Sequence, residues 1–131
     1  MTILALLLAC AGETTLDPGL GACADFDYDD PTPSALEVTW LGEEKVLIER
    51  TNVLQPNGNL VFAPEIVAED DVISVFEAWT LPVGDEGDGL EFCYVPQVDI
   101  TGPVDGMQLR WFYAVGDTIP FASVNLEAPE E

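Results

Sequence analysis

The 131-residue chain contains no histidine, and only Lys45, Arg50 and Arg110 stand against 25 aspartates and glutamates. Without histidine it lacks both the commonest general base near neutral pH and the usual nitrogen ligand of zinc. It also has no Cys-x-x-Cys pair for a zinc site and no glycine-rich loop to cradle a phosphate. Ser34, Ser74 and Ser123 lie in no Gly-x-Ser-x-Gly setting, and nothing singles out one glycosidase-type pair among so many carboxylates. The expectation is a protein that is not an enzyme. A formal net charge of -22 repels phosphate backbones and anionic headgroups, so no nucleic acid is expected as a partner. The same charge serves solubility or salt adaptation, and it attracts cations or basic partners. Long apolar runs are missing as well: the longest, at residues 3–10, is about half of what a membrane-spanning helix needs.

Hydrophobic residues make up 48% of the chain, including three Trp, three Tyr and six Phe, enough to offset the entropy of ordering one small domain. From Ala35 onward short runs of β-branched and aromatic residues alternate with turn residues. About seven strands are expected, over 36–41, 45–54, 59–63, 72–81, 90–96, 107–115 and 121–126. Turns fall at Gly42-Glu43-Glu44, Pro56-Asn57-Gly58, Gly84 to Gly89, Gly102-Pro103 and Val115-Gly116-Asp117, with Asn57-Gly58 the best hairpin signal. No segment has apolar residues at helical spacing between helix caps. The fold class is therefore all-β, a small antiparallel β-sandwich. The order Cys23, Trp40, Cys93 resembles an immunoglobulin-like sandwich in architecture, although Cys23 precedes the first clear strand.

At the N-terminus, Leu7-Leu8-Ala9-Cys10 followed by Ala11-Gly12 resembles the lipobox of bacterial lipoproteins. The resemblance covers ten residues and departs from the family in having no Lys or Arg ahead of the apolar run. It implies removal of residues 1–9 as a signal peptide and lipidation of Cys10, whose thiol carries a diacylglycerol. An ordinary cleaved signal peptide and an apolar N-terminal strand are the alternatives. The lipoprotein reading implies a place in the cell envelope, attached to a bacterial membrane by its lipid alone and facing periplasm or exterior, with an unknown envelope or extracellular protein as partner.

With Cys10 taken by lipid, Cys23 and Cys93 form an even pair, which in an oxidising compartment points to a disulfide; two separately buried thiols are the alternative. Residues 10–34 read as an acidic tether rich in Gly, Pro and Asp, residues 35–127 as the β-sandwich domain and residues 128–131 as an acidic tail.

Two acidic clusters raise the question of a metal. Asp25, Asp27 and Asp29 alternate as calcium-loop carboxylates do, but the sixth position is Asp30, where an EF-hand has Gly, and the twelfth is Leu36, where it has Glu. Asp85, Asp88 and Glu91 form a second group near Cys93, and a disulfide would bring the two together. The plain reading is a solvated linker and a polar turn, with no cofactor. A calcium-dependent binding or adhesion domain is the alternative. The last feature is Arg110-Trp111-Phe112-Tyr113, which on a strand puts Trp111 and Tyr113 on one face and Arg110 and Phe112 on the other. One bulky face belongs to the core, and the other is covered by a loop or by a partner. Trp79, flanked by Ala78 and Thr80, is expected in the core.

Overall fold

Strands that alternate apolar and polar residues must hide one face each, and here they do so by stacking two sheets. The computed structural model describes residues 14–82, 84, 87 and 89–129. Among them there is no helix, and the strands in chain order are β1 (Thr15–Ala22), β2 (Leu36–Gly42), β3 (Lys45–Arg50), β4 (Val53–Gln55), β5 (Val61–Phe62), β6 (Glu65–Glu69), β7 (Val72–Phe76), β8 (Trp79–Thr80), β9 (Phe92–Thr101), β10 (Gln108–Phe112) and β11 (Ala122–Asn125). The first sheet runs β1-β9-β3-β2, with β4 also on β9; the second runs β11-β10-β7-β6; β5 and β8 pair separately.

The inward positions of four strands supply most of the core. Val46 and Ile48 of β3, Val98 and Ile100 of β9, Ile73 and Val75 of β7, and Leu109 and Trp111 of β10 are all fully buried. Burying each such side chain contributes about 1.5–3 kcal/mol relative to leaving it in water. Phe62 of β5 stacks on Trp111 with ring centroids 6.2 Å apart and packs against Trp79 at 5.2 Å, closing one side of the core.

The long strand β9 pairs with β1 on one side and with β3 and then β4 on the other. Its central Pro96 lacks an N–H, and the register shows why that is tolerated. The amide of Gly102 bonds to the carbonyl of Glu44 at 2.8 Å, so even-numbered positions of β9 direct their backbone groups to the β3 side. Pro96 therefore falls opposite the break between β3 and β4, where Asn52 takes a positive φ of 54° and the ladder is interrupted. By the same alternation Pro18 of β1, opposite Val98, turns away from β9 on the open edge of the sheet.

Several expectations need correction. The segment 10–34 is not a tether throughout: Thr15–Ala22 is β1, in register with β9 from Thr101 to Tyr94. Its Gly and Pro content reads as spacer, but Leu16 packs against the core and the side chain of Gln97 lies over Gly19 and Gly21, closely enough at Gly21 that a β-carbon would press on its amide. The seven expected strands are eleven among the described residues. The run 45–54 breaks at Asn52, the run 72–81 breaks at Glu77, and β6 is an edge strand of exposed Glu and Val that follows Pro64. Asn57-Gly58 turns the chain between β4 and β5, which belong to different sheets, so it forms no hairpin. The two-residue hairpins are instead at Glu43-Glu44 and at Asp70-Asp71, with φ of 54° at Asp70.

Two features depart from the immunoglobulin-like pattern of antiparallel sheets joined by a cystine across the core. Strands β7 and β10 pair in parallel, and the disulfide between Cys23 and Cys93 joins neighbouring strands of one sheet. Its Cα atoms are 5.5 Å apart, and the Cys23 amide bonds to the Cys93 carbonyl at 3.2 Å, so the bond staples the end of β1 to β9. The bridged residues are 70 apart in sequence.

For a loop of that length the chain-entropy estimate is about 4 kcal/mol. Urea denaturation of Cys23→Ser/Cys93→Ser should show a loss of that order, and reduction of the wild type should raise its intact mass by two hydrogen atoms. A double variant within about 1 kcal/mol of wild type would contradict a stabilising staple.

The outer face of the first sheet carries two like-charge cross-strand pairs, Asp17 with Asp99 and Glu37 with Glu49. One carboxylate oxygen of Asp99 is buried without a hydrogen-bond partner, and of the two cations on the strands of this sheet only Lys45 is on the outer face, Arg50 being turned inward. Screening should therefore stabilise the fold: the melting temperature is expected to rise between about 20 mM and about 500 mM NaCl. A fall over that range would show that favourable ion pairs outweigh the repulsion.

Candidate functional site

One of the three cations is hidden inside the molecule. Arg50 is the last residue of β3, with its side chain on the inward face, and Glu77 follows β7 of the other sheet; both are buried. The Nη1 of Arg50 donates to Oε2 of Glu77 in a short ion pair that ties the two sheets together. Two indoles complete the carboxylate: Trp111 Nε1 donates to Oε2 at 2.6 Å and Trp79 Nε1 donates to Oε1 at 3.1 Å. The Nε of Arg50 donates to the hydroxyl of Ser34 at 2.9 Å, and the backbone amide of Glu77 bonds to the carbonyl of Phe112 at 3.1 Å.

The guanidinium has a second task. Its Cζ lies 4.7 Å from the centroid of Tyr113 and 4.6 Å from that of Phe121, within range of a cation–π attraction to both rings. These rings are 5.1 Å apart and stand at the two ends of the β10–β11 loop. The amide of Phe121 donates to the carbonyl of Trp111 at 2.7 Å and closes the base of the loop. Within it Asp117 braces Ala114 twice, by its amide to the Ala114 carbonyl and by its carboxylate to the Ala114 amide, each at 3.2 Å.

The loop so held presents apolar side chains to water. Tyr113 is 54% exposed, Val115 56% and Ile119 80%, and a shallow cavity of about 390 Å³ lies among Tyr113, Asp117, Thr118, Ile119 and Pro120. The exposed part of these side chains contributes nothing to folding. The aromatic strand is thus resolved: Trp111 is core, Phe112 is buried on the opposite face against Phe76 at 4.5 Å, and Tyr113 leaves the sheet for the loop.

The residues singled out from sequence lie elsewhere. Cys10, Asp85 and Asp88 are outside the described residues. Cys23 and Cys93 are joined, and Glu91 is exposed just ahead of β9. Asp25, Asp27 and Asp29 are exposed, while the aromatic residues between them make the contacts: Phe26 and Tyr28 meet edge to face at 4.9 Å, and the Tyr28 hydroxyl accepts from the Cys93 amide at 3.2 Å. The Asp27 carboxylate accepts from the Asp29 amide at 2.9 Å, an Asx turn. Among the described residues no three acidic or cysteine side chains are grouped to share a metal ion. The buried ion pair left no periodic trace in the sequence; its one signal was an Arg at an inward strand position of a chain nearly devoid of cations.

Comparison with protein families, with curated proteins and with solved structures returns no match. The functional reading therefore rests on this geometry together with the N-terminal sequence.

Removing either partner strands a charge in the core, so Arg50→Met and Glu77→Gln should each cost about 3–5 kcal/mol. The double variant Arg50→Met/Glu77→Gln should cost less than the sum, and a double-mutant cycle in urea measures the coupling. Single losses below about 1 kcal/mol would place the pair among exposed ion pairs of little consequence.

Proposed function

We propose that this chain is a non-enzymatic lipoprotein of the bacterial cell envelope, held to the membrane through Cys10 and acting as a structural or interaction module. The observation that carries the reading is the Cys23–Cys93 disulfide, which uses two of the three cysteines and leaves the one in the lipobox-like context. Disulfides of this kind persist in oxidising compartments, and lipidation accounts for the remaining thiol.

The absence of chemistry is supported by how the polar side chains are used. The most buried carboxylate, Glu77, is saturated by Arg50 and two indoles, and Ser34 accepts from Arg50. Glu77 is thus buried with both oxygens engaged, and no histidine is present to activate the Ser34 hydroxyl. What the described surface does offer is negative charge and one braced apolar loop, which suits a protein that contacts other proteins.

Fractionation of the native host tests the anchor. Wild-type protein should sediment with membranes and show an intact mass beginning at Cys10 with added diacylglycerol, while Cys10→Ala should be released to the soluble fraction. Unchanged membrane association of the variant would overturn the lipidation.

A further inference from the structure

We infer that the β10–β11 loop is a preformed docking element that inserts Tyr113, Val115 and Ile119 into an apolar site rimmed by Lys and Arg on a partner protein. The inference deepens the interaction-module reading and rests on it, but it is independent of the lipid anchor.

Three observations combine. First, the apolar side chains are presented by a loop that is fixed, not loose. Its base is closed by Phe121 N–H to Trp111 carbonyl, its turn by Asp117 and Ala114, and its two aromatic ends by Arg50. A partner binding it has little ordering entropy left to supply, the condition under which a small apolar contact yields useful affinity. Second, Ile119 at 80% and Val115 at 56% exposure leave most of their surface in water, so its burial is available to an interface. Within residues 113–121 the one charged side chain, Asp117, is engaged by the Ala114 amide.

Third, the charge of the whole molecule selects the occupant. At -22, two copies repel each other and an anionic bilayer repels the chain. A protein with basic residues around an apolar pocket is attracted over the whole approach and then retained by the loop. The long-range field sets the association rate and the apolar side chains set the dissociation rate.

The test uses the full-length protein in its own host with a photo-crosslinking amino acid at position 119 or 115, and at Thr39 on the outer face of β2 as a control. The identified partner is then purified and its affinity measured for wild type and for Val115→Ser/Ile119→Ser at low and high NaCl. The expected result is a crosslink from the loop but not from Thr39, to a Lys- and Arg-rich contact peptide. Affinity should fall on the order of tenfold or more in the loop variant, with its melting temperature kept, and association should slow with salt. Crosslinks from the loop only to a second copy or to lipid would overturn the inference, as would unchanged affinity of the loop variant. A partner crosslinked from Thr39 but never from the loop would overturn the docking element and leave the interaction module standing. No protein crosslink from any position would overturn both.

Discussion

The structure depends on a guanidinium between two sheets. Arg50 comes from the first sheet, Glu77 from the end of a strand in the second, and the carboxylate also takes the N–H groups of Trp79 and Trp111. An isolated ion pair moved out of water costs more than its attraction returns, and each unpaired indole would add a penalty of its own. Together the four groups satisfy one another. Lysine could not replace Arg50, because only a planar fork can bond Glu77 and Ser34 while lying against the rings of Tyr113 and Phe121. The same residue thus fixes how the sheets face each other and how the exposed loop is held.

Around that contact the fold is organised by β9, which touches three strands and carries one half of the disulfide. The placement of Pro96 at the break between β3 and β4, and of Pro18 on an open edge, lets two residues that usually interrupt sheets stay within this one. Aromatic packing continues from the polar cluster outward: Trp79 lies 5.2 Å from Tyr94, whose hydroxyl donates to the Asn57 carbonyl at 2.8 Å and accepts from the Leu60 amide at 3.1 Å. A single contiguous path of rings and hydrogen bonds therefore joins the ion pair to the turn at Asn57 and Gly58.

The acidity acts in two opposed ways. It opposes compaction, as the facing pairs Asp17/Asp99 and Glu37/Glu49 show, and the disulfide and the dry core must outweigh that repulsion. It also makes copies of the chain repel one another, which opposes association through the exposed Val115 and Ile119.

Alternation of apolar and polar residues and the turn residues between them were local properties, so the all-β class, the absence of helix and most strand positions were legible in the sequence. The cysteine pairing was legible too, because two thiols remained once Cys10 was assigned elsewhere. Strand β1 was not, since Asp17-Pro18-Gly19-Leu20-Gly21 becomes extended only when β9 supplies its partner. Nor were the separation of β4 from β5, the parallel pairing of β7 with β10, or the meeting of Arg50 with Glu77 across 27 positions. Composition and periodicity are properties of neighbours along the chain. Which buried charge meets which, and which apolar side chains are left outside, is decided only when distant segments share one core.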